Sequence, residues 1–448
     1  MLNKLMHNSV FHITKRTDTP KWQAWLVRVA AIVVALLASA IVSSILKAGT
    51  FGAFIQNVFV GNFATPNRII RLLQNTAILL LISLAVTPAF RMKFWNIGAE
   101  GQVLIGGLMS VVMVKYFGGK VDNSLLIIVM FIMAVLGGAI WAVIPALFKA
   151  KWNTNETLFT LMMNYIAMGL ISICIAVWVT SGSQVLGVLK YGRFPKIGGY
   201  NYILNIIIVA IITVVVSIYL KFSKHGYELS VVGESQNTAK YIGISVPKVI
   251  IRTMLLSGAL SGIAGWLLVA GTSHTISTTS AGGMGFTAIL VAWLAGLNPV
   301  AMVFTSLLVQ FFNIGAEYAG SNFGFGTAFP EIITAVFFFV VIASEFFVNY
   351  NVKINPALIA KFKKNKGGEN TPENDSSAEQ NSEDKGNSFA EQKSVDSDNP
   401  SVEQHSEDND NKSSEQHSED NDNKSSEQVS DQTVTEEVAD NSNEEVNL

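Results

Sequence analysis

The sequence predicts an all-α fold: a polytopic membrane bundle of about ten transmembrane helices, followed by a disordered acidic tail. Two observations predict the bundle. Half of the 448 residues are hydrophobic and only 14% are charged, and the apolar residues gather in runs near the roughly 20 that a helix needs to cross a bilayer. A third predicts the tail. Residues 367–448 hold 24 acidic residues and 4 lysines, a net of −20, whereas residues 1–366 hold 9 acidic and 27 basic residues, a net of +18.

The chain divides accordingly into a polar, basic segment 1–24, a membrane domain 25–350, a basic juxtamembrane segment 351–366 and the tail 367–448. The first span is Trp25–Leu46. Ala38-Ser39-Ala40 within it resembles a signal-peptidase site, but the apolar run is longer than a signal core of about 7–15 residues, so a retained helix is expected. The further expected spans are Ile69–Phe90, Ala99–Phe117, Leu125–Phe148, Thr157–Thr180, Tyr202–Leu220, Ile251–Gly271, Gly285–Ala295, Val300–Tyr318 and Ala328–Asn349. The eighth, ahead of Gly296-Leu297-Asn298-Pro299, is too short to cross as a straight helix and reads as a broken or re-entrant element, which needs protein or water around it.

Orientation follows from lysine and arginine. With the N-terminus inside, nineteen basic residues of the membrane body face the cytoplasm and eight face outward. An even number of spans then leaves both termini cytoplasmic. The tail repeats HSEDNDNKSSEQ in identical tandem at His405–Gln416 and His417–Gln428. So polar a segment buries too little apolar surface to offset its ordering entropy, and a solvated tail is the simpler expectation than a docking role.

The densest polar stretch inside the apolar body is Phe94–Gly107, FWNIGAEGQVLIGG, with Arg91 and Lys93 just before it. Asn96, Glu100 and Gln102 sit where the chain re-enters the membrane, and intramembrane polar groups usually face protein or water. Two readings stand side by side: a helix start with Asn96 as N-cap and Glu100 near the positive end of the dipole, or a direct functional role. The motif NIGAE recurs at Asn313–Glu317, outside any simple five-plus-five duplication. In KAKWNTNET, Asn153 and Glu156 read as a capping box opening the fifth helix, leaving Asn155 and Asn164 as further polar candidates. The inner loop Lys221–Lys248 is patterned for a short surface helix beginning at Ser235 that presents side chains to a soluble partner, with a plain solvated connector as the alternative.

Several function classes recede. The single cysteine, Cys174, lies in an apolar run and reads as packing; the histidines are scattered, so no metal site is expected. Most of the few body carboxylates fall at predicted helix ends or in loops, and none falls clearly mid-span, which speaks against an ion-driven carrier. The sequence contains no G-x-x-x-x-G-K-[ST] phosphate loop. No cofactor is expected in the chain itself, and an energy source would come from a partner.

Four separated stretches carry a family resemblance. FWNIGAEGQVLIGG, NETLFTLMMNYIA (Asn155–Ala167), GESQNTAKYIGI (Gly233–Ile244) and AWLAGLNPVAMV (Ala292–Val303) resemble motifs of permease subunits of bacterial nucleoside ABC importers, within the branched-chain amino acid, ribose and nucleoside permease family. Ser235 and Thr238 depart from that pattern, which usually has Asn and Ala there. The resemblance implies a multi-pass plasma-membrane permease, not an enzyme, that forms a translocation path for nucleosides. It implies that Gly233, Glu234, Ala239, Tyr241 and Gly243 form the loop that couples to an ATPase. It also implies that Asn96, Glu100, Gln102, Asn155, Glu156 and Asn164 lie on or beside the path. The implied partners are an ATP-binding cassette subunit that binds the ATP, a second permease, a substrate-binding lipoprotein and membrane lipids, with no nucleic acid. A sugar such as ribose is the alternative cargo, and an ion-coupled carrier or channel the alternative class.

Overall fold

The computed structural model describes residues 11–15, 21–179 and 186–354; the tail and its repeats lie outside the described residues. Thirteen helices follow one another: α1 Lys21–Leu46, α2 Phe51–Phe63, α3 Pro66–Arg91, α4 Ala99–Phe117, α5 Asn123–Trp152, α6 Glu156–Trp178, α7 Ile203–Phe222, α8 Lys224–Glu234, α9 Gln236–Tyr241, α10 Val246–Leu267, α11 Met284–Leu294, α12 Pro299–Phe323 and α13 Phe329–Asn349. A π turn, Leu268–Ser273, prolongs α10. Strands β1 (Phe11–Lys15) and β2 (Tyr350–Ile354) pair antiparallel, Phe11 opposite Ile354. That ribbon joins the start of α1 to the end of α13. With the Arg28–Glu345 ion pair at 2.6 Å, it puts both ends of the bundle on the same side, as an even number of crossings requires.

Local chemistry sets the boundaries. Asp122 accepts from the Ser124 amide to open α5, Asn155 accepts from Thr157 and Leu158 to open α6, and Asn298 accepts from Val300 just before Pro299 at the start of α12. Each supplies an acceptor to amides that a helix start leaves unpaired. Asn153, expected to open α6, instead closes α5 in the left-handed region at φ 50°. Its partner in the expected capping box, Glu156, reaches Lys149 at 2.8 Å.

Helices α3, α4 and α10 form the buried centre, and α5 packs along α10 through very small side chains. A Cβ on Gly106 would lie 2.5 Å from the Gly262 Cα, while Gly138 and Gly258 abut each other's carbonyls. Backbones this close gain dispersion contacts that lipid cannot supply, the usual basis of helix association in a bilayer. Outward, α5 shows Ile128, Ile132, Leu136 and Ile140 on one face, and α7 shows Ile211, Val215 and Ile218. These apolar stripes mark the lipid-facing surface of a multi-pass membrane protein. A satellite core of Phe54, Val58, Ala316, Ala319 and Phe329 joins α2, α12 and α13.

Among the described residues, eight helices are long and apolar enough to span a membrane by themselves. With α4 and the short α11 they match the ten expected spans, and Thr180, the expected end of the fifth, lies outside the described residues. Helix α2 was not foreseen, because its 13 residues fall below spanning length. The eighth span is broken, as its length suggested. Residues 274–283, between the π turn and α11, hold no α-helix, and α11 then covers the expected Gly285–Ala295 as far as Leu294.

Gly262→Val inserts a branched side chain against the α5 backbone at Ala134, and overpacking costs about 1–3 kcal/mol or more where backbone must shift. Its unfolding midpoint in detergent should fall well below that of Gly169→Val, since a Cβ on Gly169 meets nothing within 4 Å.

Candidate functional site

The stretch before α4 folds as a compact turn, with the Asn96 amide donating to the Phe94 carbonyl and the Ile97 amide to that of Trp95. Gly98, rather than Asn96, is the N-cap of α4. Asn96 nevertheless accepts from the Gly98 amide at 3.0 Å and from Gln102 Nε2 at 3.2 Å, and it donates to Ser257 Oγ at 3.1 Å. From α6, Asn164 accepts from the Gly101 amide at 2.8 Å and donates to the Ile97 carbonyl at 3.0 Å, while Thr160 Oγ1 accepts from the Ile97 amide. A neighbouring helix thus supplies much of the capping that the local sequence does not.

This helix start lies deep in the bundle. Asn164 is about 12 Å along α6 from Glu156, and Ser257 about 16 Å along α10 from Val246, at 1.5 Å per residue. Glu100, expected near a helix end at the membrane boundary, is therefore an interior carboxylate with 2% of its surface exposed. Its Oε1 accepts from the Gly283 amide at 2.8 Å and its Oε2 from the Gly285 amide at 2.7 Å. Gly283 is the N-cap of α11. The positive ends of α4 and α11 therefore converge on one negative group, as helix dipoles favour. A side chain at Gly285 would strike the Glu100 backbone, so glycine there admits the close approach.

Four of the six path candidates, Asn96, Glu100, Gln102 and Asn164, are thus brought together, all buried. Their hydrogen bonds go to backbone amides and carbonyls, from Gln102 to Asn96, and from Asn96 to Ser257, while Gln102 Oε1 is left without a partner. Asn155 and Glu156 sit apart, at the start of α6, one capping the helix and the other paired with Lys149. The second NIGAE forms no comparable turn: it lies within α12, where Asn313 donates to Thr334 and Glu317 pairs with Arg71. Sequence reading missed Ser257, Thr160 and the amides of Gly283 and Gly285. A usable signal was Ala281-Gly282-Gly283-Met284-Gly285 ahead of a short apolar helix, since successive glycines before a helix make a ready anion nest.

On the face that carries the ends of α3 and α7, α8 and α9 form a surface pair. Ser235 accepts from the Thr238 amide and opens α9, the short helix expected there. Gly233 is buried against the Arg91 carbonyl, where a Cβ would overlap it. Ala239 is buried, Gly243 turns the chain at φ 83°, and Glu234 is exposed. Tyr241 is 92% exposed and Ile242 51%.

The family of branched-chain amino acid transport system permease components matches residues 68–344, a region that holds α4, α6, the α8–α9 pair and α11. The chain belongs to that family. Among curated relatives of this permease, the guanosine ABC transporter permease protein NupP of Bacillus subtilis is 33% identical over 59% of the chain and 78% of its own length. The glucose ABC transporter permease protein TsgB13 of Haloferax volcanii is 27% identical over 78% of the chain and 94% of its own. The nucleoside ABC transporter permease protein NupB of Lactococcus lactis is 27% identical over 70% and 89%.

Below the surface pair of the permease, His225 of α8 is buried between the Tyr219 hydroxyl, 2.7 Å from Nδ1, and Thr253 Oγ1, 3.2 Å from Nε2. Desolvation, followed by the nearby Arg252 charge, holds its imidazole below the ordinary histidine value, against a smaller upward pull from Glu228. A lowered folded-state pKa means that the unfolded chain binds the proton more readily. The stability this provides is complete above the ordinary value near 6.5 and is lost as pH falls from there through the folded value. The unfolding midpoint should therefore drop between pH 7.5 and 5.5, and His225→Gln should flatten that dependence.

Glu100→Gln replaces one accepting oxygen with a donor, so one of the Gly283 and Gly285 amides loses its partner. Loss of a charged hydrogen bond with an orphaned buried amide should cost about 2–3 kcal/mol, read as a lower unfolding midpoint and reduced transport.

Proposed function

We propose that this chain is the membrane-spanning subunit of an ATP-driven nucleoside importer in a bacterial plasma membrane, with both termini cytoplasmic. The observation that carries the coupling half of this reading is the anchored α8–α9 pair with Tyr241 and Ile242 turned outward. A soluble ATPase docking there would push on Gly233 and hence on the end of α3, against which Gly233 is packed. The basic residues on that face, Arg91, Lys149, Lys221 and Arg252 among them, agree with a cytoplasmic side. A second permease and a substrate-binding lipoprotein complete the proposed assembly, with ATP held by the cassette subunit.

Nucleosides as cargo rest on the relatives named for guanosine and nucleosides. The relative named for glucose covers the largest share of this chain among those compared, and it supports a sugar as the second reading. Uptake of radiolabelled uridine, guanosine, ribose and glucose by cells lacking the gene, with and without its restoration, separates the two. Rescue of nucleoside uptake alone supports the first reading; rescue of sugar uptake alone replaces it.

Glu234→Arg reverses the charge of an exposed residue on the contact surface. It should abolish uptake while membrane insertion, followed by fractionation of the full-length protein, stays at the wild-type level. Undiminished uptake would remove α8–α9 from the coupling role.

A further inference from the structure

On the face opposite α8–α9, a cavity of about 290 Å³ opens between the loop ahead of α7, the start of α7 and the end of α10. Its rim carries Arg193, Lys196 and His274, and none of its lining residues is a carboxylate. Asn123, next to the α5 cap Asp122, donates to the Arg193 carbonyl. Arg193 is braced by its Nε donating to the Leu189 carbonyl at 2.7 Å, and His274 Nδ1 is 3.1 Å from the Val269 carbonyl. Asn205, completely buried, lies in the lining with its Oδ1 unpartnered, beside the Thr272 hydroxyl. Gly271 leaves the room that Asn205 occupies, since a Cβ there would overlap the amide.

The depth of the cavity selects among anions. Along α7, the rise from Ile203 to Lys221 is about 27 Å, and along α10, from Arg252 to Thr272, about 30 Å, both close to the hydrocarbon thickness of a bilayer. With Lys221 and Arg252 at one boundary, Asn205 and Thr272 lie at the other, and Arg193, Lys196 and Tyr202 fall in the headgroup layer, where basic and aromatic residues anchor. Leu204 in the lining shares a face of α7 with Ile211 and Ile218, which are 59% and 54% exposed. The cavity thus continues into an apolar track running down the lipid-facing surface.

We propose that this cavity binds the phosphate of an anionic phospholipid, with Arg193 and Lys196 on the phosphate, Asn205 accepting a headgroup hydroxyl, and the acyl chains lying along Leu204, Ile211 and Ile218. The same chemistry would receive free phosphate; the apolar track is what assigns the site to a lipid.

The test uses the full-length protein, purified in mild detergent, with native mass spectrometry after exchange into phosphatidylglycerol, phosphatidylcholine or inorganic phosphate. Phosphatidylglycerol should bind one per chain and resist millimolar phosphate. The Arg193→Gln, Lys196→Gln double variant should bind it about thirtyfold more weakly, from about fivefold per basic side chain near an anionic lipid. Lys196→Glu alone, at an exposed position, gives the same readout if the double variant fails to fold. Equal retention of the two lipids, or retention unchanged in both variants, overturns the proposal. Binding of inorganic phosphate that depends on Arg193 while phosphatidylglycerol does not bind overturns the lipid assignment.

Discussion

A single carboxylate inside the bundle sets the position of nearly everything around it. Left alone there, a charge would cost far more than the packing about it returns. Glu100 is tolerable because two backbone amides and two helix N-termini converge on it. The arrangement binds in both directions. Helix α11 is too short to span and has an irregular segment above it, and Glu100 fixes where it begins. Helix α4 begins in mid-bundle rather than at a surface, which is possible only because Asn164, Thr160 and Asn96 satisfy its first backbone groups. Irregular backbone at such depth survives where protein surrounds it.

From that point the contacts run without a break to the surface. Trp293 of α11 packs against Trp95 and Phe90, and just beyond it the Leu297 carbonyl accepts from Arg91 at 2.9 Å. The Arg91 carbonyl in turn is where Gly233 of α8 seats. The half-span tied to Glu100 and the outward-facing Tyr241 therefore share one intermediary, the end of α3. The end of the broken span is held there by Trp293 against Phe90 and Trp95 and by the Leu297 carbonyl on Arg91.

Sequence pattern revealed the ten apolar segments and the short helix after Ser235, because length, hydropathy and a capping serine are local properties. It revealed the break in the eighth span for the same reason: eleven apolar residues cannot reach across. What it missed was long-range. Asn96 looked like a cap because an asparagine before a helix usually is one, whereas the deeper start at Gly98 is capped by Asn164 from another helix. Asn153 and Glu156 had capping-box spacing, yet Lys149 one turn back and the neighbouring Asn155 took the two roles. Glu100 looked peripheral because sequence places a residue relative to its own helix, and the depth of that helix depends on α6 and α10.

The same geometry bears on selectivity. Near the centre, Glu100 and Asn164 spend their hydrogen-bonding capacity on backbone groups, and Asn96 on the Gly98 amide, Gln102 and Ser257, while Gln102 keeps one buried oxygen without a partner. A buried group so engaged cannot turn to a passing solute without opening a helix start, and leaving those amides unpaired would cost a few kcal/mol each. In this structure Asn96, Glu100 and Asn164 thus act first as a frame for the starts of α4 and α11. Relatives named for guanosine and for glucose within one family fit a frame indifferent to what it carries. On this view, changing the cargo needs no change at Glu100, whereas changing Glu100 disturbs transport whatever the cargo.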